Sequence, residues 1–168
     1  MQNVYKDEKY EIYEYCPTII KPLAINFEPM RFVRRIRFLK SFFGKGKYKV
    51  YYLKVNGEFV GHCVIQPGGK RLKCSTEHDI VIGPYFIKKE SRGKGYSVPL
   101  VKLSLDNCSY PFIYAYDWIE KTNQASIATS ERVGFIKVGE LNVTRFLRRL
   151  IEKKDGDDYI LRYENGEN

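Results

Sequence analysis

The sequence has no run of about eighteen consecutive apolar residues, so no helix is expected to cross a membrane. Its first residues, MQNVYKDEKYEIYEY, carry charges where a secretory signal needs an apolar centre. A cytoplasmic protein is therefore expected. Cysteine is sparse: Cys16, Cys63, Cys74 and Cys108 form neither a CxxC pair nor an even framework. In a reducing compartment such residues are expected to be small buried hydrophobes. His62, Cys63, Cys74 and His78 match no zinc-module spacing, and no metal is expected. The sequons at Asn107 and Asn142 carry no weight without secretion. Repeats, low-complexity tracts and linkers are also missing, which points to a single domain over residues 1–168.

Charge is present in excess. Lys and Arg number 29 against 20 acidic residues, a formal net charge of +9. A basic protein attracts anions, whether nucleic acid, anionic lipid or a phosphate-bearing small molecule. Fourteen tyrosines enrich the chain in aromatics, but they follow strand and core positions and make no exposed stacking platform.

The pattern along the chain is mixed. Tyr10 to Cys16 alternates like a strand, and Phe32, Val33, Ile36, Leu39 and Phe43 recur at helical spacing between Pro29 and Gly44. The other face of that helix carries Arg31, Arg34, Arg35 and Lys40, with Arg37 nearby. KYKVYYLKV and EFVGHCVIQ flank Asn56-Gly57, a strong hairpin signal. HDIVIGPYFI reads as a buried strand interrupted at Gly83-Pro84, where a proline marks an edge or a bulge. A helix with Val98, Val101, Leu103 and Leu105 follows, then the strand PFIYAYDW. A short helix runs from Thr122 or Asn123 to Gly134, and the strand FIKVGELNVTRFL comes next. The turn at residues 154–157 leads into a last strand, YILRYE. The order β-α-β-β-β-α-β-α-β-β is neither a repeat nor a doubly wound sheet.

The chemistry concentrates in ESRGKGYSVP, residues 90–99, between a strand and a helix. Helix N-termini leave amides unpaired and favour anions. Glycine lets backbone approach a ligand closely, and Pro99 is tolerated in a first helical turn. A solvent-exposed turn without a ligand fits these residues equally well. The spacing is neither a Walker loop nor GxGxxG.

Arg92-x-x-Gly95-x-Ser97 resembles the Arg/Gln-x-x-Gly-x-Gly/Ala signature of the GNAT superfamily of acetyl-CoA-dependent N-acyltransferases, departing from it at Ser97. TNQASIATSERVGFIKVGE resembles the family's second signature, matching at Asn123, Gly134 and Phe135. The resemblance covers about Tyr10 to Glu164. It implies an α/β (α+β) fold, a mixed, splayed, mostly antiparallel sheet of about seven strands with flanking helices. It implies acetyl-CoA as co-substrate. Arg92, Gly93, Lys94, Gly95, Tyr96, Ser97 and Val98 are then expected to cradle the pyrophosphate of coenzyme A. The backbone of Phe86 and Ile87 is expected to pair with the pantetheine arm and polarise the thioester carbonyl. Asn123 and Ser126 are expected to contact the cofactor, and Gly83-Pro84 to form a bulge where the strands splay.

Many family members place a tyrosine acid seven residues after the second-signature Asn, where this chain has Ser130. Ser130, a water, or Tyr85, Tyr96 or Tyr116 is left to protonate the leaving thiolate. For the base, Asp79 and His78 rank equally, with Glu77 beside them and Asp117 and Glu120 as outsiders. Surface charge is an equal reading for these carboxylates. Arg31, Arg34 and Arg35 suit an anionic acceptor, such as a phosphate-bearing amino sugar, or form a solvated helix face. The expectation is an N-acetyltransferase acting on a small amine, as a monomer or homodimer, with neither membrane nor nucleic acid as partner. The alternatives are a non-catalytic acyl-CoA-binding sensor of the same fold and a basic nucleic-acid-binding module.

Overall fold

The computed structural model describes residues 1–18, 20–27, 48–69, 72–144 and 149–166. Among them are nine strands, mostly antiparallel, and two α-helices: β1 Gln2–Lys6, β2 Tyr10–Tyr15, β3 Lys49–Val55, β4 Glu58–Pro67, β5 Ile80–Ile87, α1 Ser97–Asp106, β6 Tyr114–Glu120, α2 Gln124–Val133, β7 Ile136–Val143, β8 Leu150–Glu152 and β9 Asp158–Glu164. The expected class holds, and the strand count rises from about seven to nine. β1 and β8 are the additions. Both are short, five and three residues, too few to carry a sequence pattern that marks a strand. The arginine-rich helix, with Arg31, Arg34 and Arg35, lies outside the described residues.

The chain divides into two compact units, Met1–Pro67 with Gly83–Ser109, and Gly68–Ile82 with Tyr110–Asn168. In the first, β1 to β4 form an antiparallel meander with neighbours in chain order. Asn56 and Gly57 take φ of 49° and 82° at the β3–β4 turn, as the hairpin signal requires. Cross-strand partners share a face, so Val50, Tyr52, His62 and Val64 point one way while Tyr51, Leu53, Gly61 and Cys63 point the other. The first face packs with Leu23, Tyr48, Phe27 and Phe59. The second meets α1, whose Leu100 side chain lies over Gly61. The buried face of α1 is Leu100, Val101 and Leu105; Leu103, expected there, is only half-buried.

β2, β3 and the end of α1 are tied by polar bonds. The Glu14 carboxylate accepts from Lys49 at 2.9 Å, from the Tyr51 hydroxyl at 2.7 Å, and from Ser109. Burial pushes the Glu14 carboxyl up, but hydrogen bonds from Ser109, Lys49 and Tyr51 outweigh it and hold the group below the ordinary range.

The second unit holds the start of β5, paired in parallel with β6 through Ile80↔Ala115 and Val81↔Tyr116. β6 then pairs antiparallel with β9, β9 with β7, and β7 with β8. One face of this sheet buries Leu72, Val81, Tyr116, Leu141 and Ile160. The other carries Ala115, Asp117, Leu161 and Tyr163, and the Tyr163 ring packs on Phe135, at the C-terminal end of α2, with centroids 5.4 Å apart. Residues 77–79 form a turn ahead of β5, so the strand alternation expected for Glu77, His78 and Asp79 does not apply. The cysteines also divide against expectation. Cys63 is buried, Cys108 half-buried, and Cys16 and Cys74 are exposed, because Cys16 falls just past β2 and Cys74 in a turn.

Candidate active site

The glycine loop in the first unit follows directly from the clamping of β5 against β4. A Cβ on Gly61 meets the Phe86 carbonyl oxygen at 2.4 Å, so only glycine allows this approach. The Lys88 amide donates to the Val60 carbonyl at 2.9 Å, and its ammonium pairs with Glu58 at 2.8 Å. A single 3-10 turn, Lys89–Ser91, then carries the chain into the loop.

Arg92 is extended, and Gly93 and Gly95 take φ of 76° and 75°. Tyr96 returns to right-handed helical geometry at the N-cap of α1. Left-handed residues close to a helix N-terminus are the kind of backbone geometry from which anion-binding concavities are built. A Cβ on either glycine meets nothing within 4 Å, so packing does not demand glycine here; backbone conformation and open space do. The N-cap makes no side-chain hydrogen bond, and the first turn of α1 has no acidic residue. Its amide dipoles are therefore not neutralised from within the helix.

Arg92 is held against the end of β5. Its Nε donates to the Ile87 carbonyl at 3.1 Å, and its guanidinium lies 5.1 Å from the centroid of the Phe86 ring. Lys94 is exposed on the loop. Arg92, Gly93, Lys94, Gly95, Tyr96, Ser97 and Val98 thus form one continuous cationic turn beside Phe86 and Ile87. All nine residues lie in the first unit.

A neighbouring feature carried no sequence signal. The rings of Phe27, His62 and Phe86 form a triangle with centroid separations of 5.7, 6.0 and 6.3 Å and planes within 27° of parallel. Tyr52 lies 5.9 Å from His62, its hydroxyl accepting from the amides of Ala24 and Ile25. The three rings come from segments far apart in the chain. Only the tertiary fold makes them neighbours.

The remaining candidates belong to the second unit. Asp79 is buried, and its carboxylate is committed to structure. One oxygen accepts from the Thr76 amide at 2.6 Å and hydroxyl at 2.8 Å, the other from the Tyr114 amide at 3.1 Å. These bonds tie the turn before β5 to the start of β6 and leave no oxygen unengaged for proton abstraction. His78 is exposed in that turn. Asn123 caps α2, its Oδ1 accepting from the Ser126 amide at 3.2 Å, and Gly134 ends the helix at φ 109°. The capping pattern read from the sequence is present. Ser130, on the buried side of α2, is fully enclosed, and its hydroxyl has no partner among the described residues.

Asp117 is the other enclosed group. It lies on β6 opposite Leu161, with one carboxylate oxygen unpartnered among the described residues. Burial pushes its carboxyl up to about 8, against a small opposing effect of the Trp118 amide. Tyr116 is pushed up to about 12, chiefly by burial, and its hydroxyl donates to the Cys74 carbonyl at 3.2 Å. Among the described residues, no group of three His, Cys, Asp or Glu side chains is arranged to hold a metal ion.

The family model described as the Acetyltransferase (GNAT) family matches residues 10–135. The chain belongs to the GNAT family. It is an acyltransferase, and the glycine loop and the β5 strand both lie inside the matched span. Solved structures agree on the fold. A ribosomal-protein-alanine N-acetyltransferase from Brucella melitensis is 18% identical, with a TM-score of 0.56 over 91% of this chain and 99% of its own. The yncA protein of Salmonella typhimurium, solved with its cofactor acetyl-CoA, is 15% identical, with a TM-score of 0.57 over 94% and 95%. A spermidine N-acetyltransferase from Vibrio cholerae, in complex with CoA and spermine, is 13% identical, with a TM-score of 0.58 over 91% and 95%. No curated protein matches the sequence.

Proposed function

We propose that this GNAT protein transfers the acetyl group of acetyl-CoA to a primary amine by direct attack within a ternary complex. The observation that carries the proposal is the loop Arg92–Ser97. It joins two left-handed glycines, with room where a Cβ would stand, to an uncapped, acid-free helix N-terminus. That combination fits a pyrophosphate: backbone amides from residues 92–98 supply donors, and Arg92 and Lys94 supply charge. The Phe86–Ile87 backbone pairs with the pantetheine arm, and an amide there stabilises the oxyanion that forms as the amine attacks.

The acceptor is a small amine, and an anionic one such as a phosphate-bearing amino sugar suits a chain of net charge +9. The spermidine enzyme from Vibrio cholerae supports a small-amine acceptor. Calorimetry with acetyl-CoA and with acetyl-pantetheine, which lacks the pyrophosphate and the adenosine 3′-phosphate, tests the cradle. Acetyl-CoA is expected to bind at least tenfold more tightly, and equal affinity refutes the assignment. Thiol release with glucosamine 6-phosphate, spermidine and an alanine-terminated peptide tests the acceptor. Turnover with spermidine alone refutes an anionic acceptor, and tight acetyl-CoA binding with no turnover of any amine favours the acyl-CoA sensor.

A further inference from the structure

We propose that His62 is the group that takes the proton from the acceptor amine. The inference rests on the acetyl-transfer reading, but it draws on a different part of the first unit from the glycine loop. An amine enters as its ammonium and must lose a proton before attack, and histidine is the side chain suited to accept one near neutral pH. The chain has only two histidines. His78 is exposed in a turn of the second unit, and the third candidate, Asp79, has both carboxylate oxygens engaged.

His62 sits where a base is needed. The residue before it, Gly61, is pressed against the Phe86 carbonyl and the Ile87 side chain, so the β4 backbone at this point is clamped to the strand that receives the thioester. The His62 ring faces away from α1, towards Phe27, Tyr52 and Phe86, and retains 8% of its surface exposed. The three near-parallel rings form an aromatic cluster with one proton-accepting member. Three elements present groups to it. β3 presents the Tyr52 hydroxyl, already bonded to Ala24 and Ile25, and the segment at Phe27 presents only its ring. From β5 comes the Phe86 ring, with the Arg92 guanidinium beyond it.

In the step proposed, His62 accepts one proton from the ammonium and passes it to solvent. The amine nitrogen forms its bond to the acetyl carbon, the carbon–sulfur bond breaks, and the second nitrogen proton goes to the departing thiolate. Acetamide, free thiol and one proton result.

Two measurements test this. The first is an NMR titration of the ring protons of both histidines, in which the signal lost in His62→Phe identifies His62. Acetyl-CoA is expected to shift that signal, and an unmoved signal in a chain that binds acetyl-CoA overturns the proposal whatever the activity. The second is turnover with the best amine of the panel in His62→Gln and His62→Phe. Both are expected to bind acetyl-CoA as the parent does, with kcat down about 100-fold or more and the rise of kcat through neutral pH abolished. Added imidazole is expected to restore part of the rate. Parent-like kcat with an unchanged pH profile in either folded variant overturns the proposal. Failure of the parent itself to bind acetyl-CoA defeats the acetyl-transfer reading instead, so the two failures are separable.

Discussion

Replacing Asp117 by Asn tests the physics of the second unit most directly. Asp117 is enclosed on β6, carries an oxygen unpartnered among the described residues, and burial pushes its carboxyl up to about 8 from an ordinary value of 3.8. Between those two values the folded protein holds a proton that the unfolded chain has released. Stability is therefore complete at low pH and falls as pH rises through this window, by about 1.4 kcal/mol per unit. Over the whole window the loss is on the order of 5 kcal/mol, comparable to the entire stability of many domains. Asparagine has nearly the same shape and does not titrate. Urea unfolding of both proteins, every half unit from about pH 5 to pH 8, gives the comparison. The expected result is that Asp117→Asn loses stability less steeply than the parent, the gap between them widening by about 4 kcal/mol across that range. Parallel curves for the two proteins refute the reasoning, because they mean that Asp117 is solvated or partnered in the folded state.

Three further outcomes are expected. Gly95→Ala has no steric clash to relieve but must hold a left-handed φ, so it is expected to cost about 1–2 kcal/mol in urea unfolding and to weaken acetyl-CoA binding by about tenfold or more by calorimetry. Asp79→Ala strands the Thr76 and Tyr114 amides and is expected to lower stability by about 2–4 kcal/mol, while residual kcat per folded molecule stays near the parent's. A loss of kcat with unchanged stability restores Asp79 as a base. Ser130→Ala removes an enclosed hydroxyl that satisfies no partner among the described residues, so thermal unfolding is expected to be unchanged or slightly later. A large fall in kcat at unchanged stability instead makes Ser130 the proton donor to the thiolate.

Local chemistry was legible without a structure. Gly93 and Gly95 between a strand and a helix, Asn123 at the start of α2, Gly134 at its end and Asn56-Gly57 at a hairpin each act through the conformations of a few adjacent residues. The short strands β1 and β8 were not legible. Three to five residues are too few to carry a period, and they exist because a neighbouring strand offers them a hydrogen-bonding edge.

The sequence by itself determined the family, through two signatures in order, and the conformation of the glycine loop, since few other residues hold a left-handed φ at little cost. Tertiary structure decided how the side chains are used. Asp79 and Asp117 are both aspartates in or next to strands, yet one has both oxygens engaged by three hydrogen bonds and the other is enclosed with one oxygen unpartnered among the described residues. His62 was one alternating residue in a strand until β3, β5 and the segment at Phe27 closed around it. Burial and partnership depend on residues distant in the chain, and these set whether a titratable group is structural, perturbed or available for chemistry.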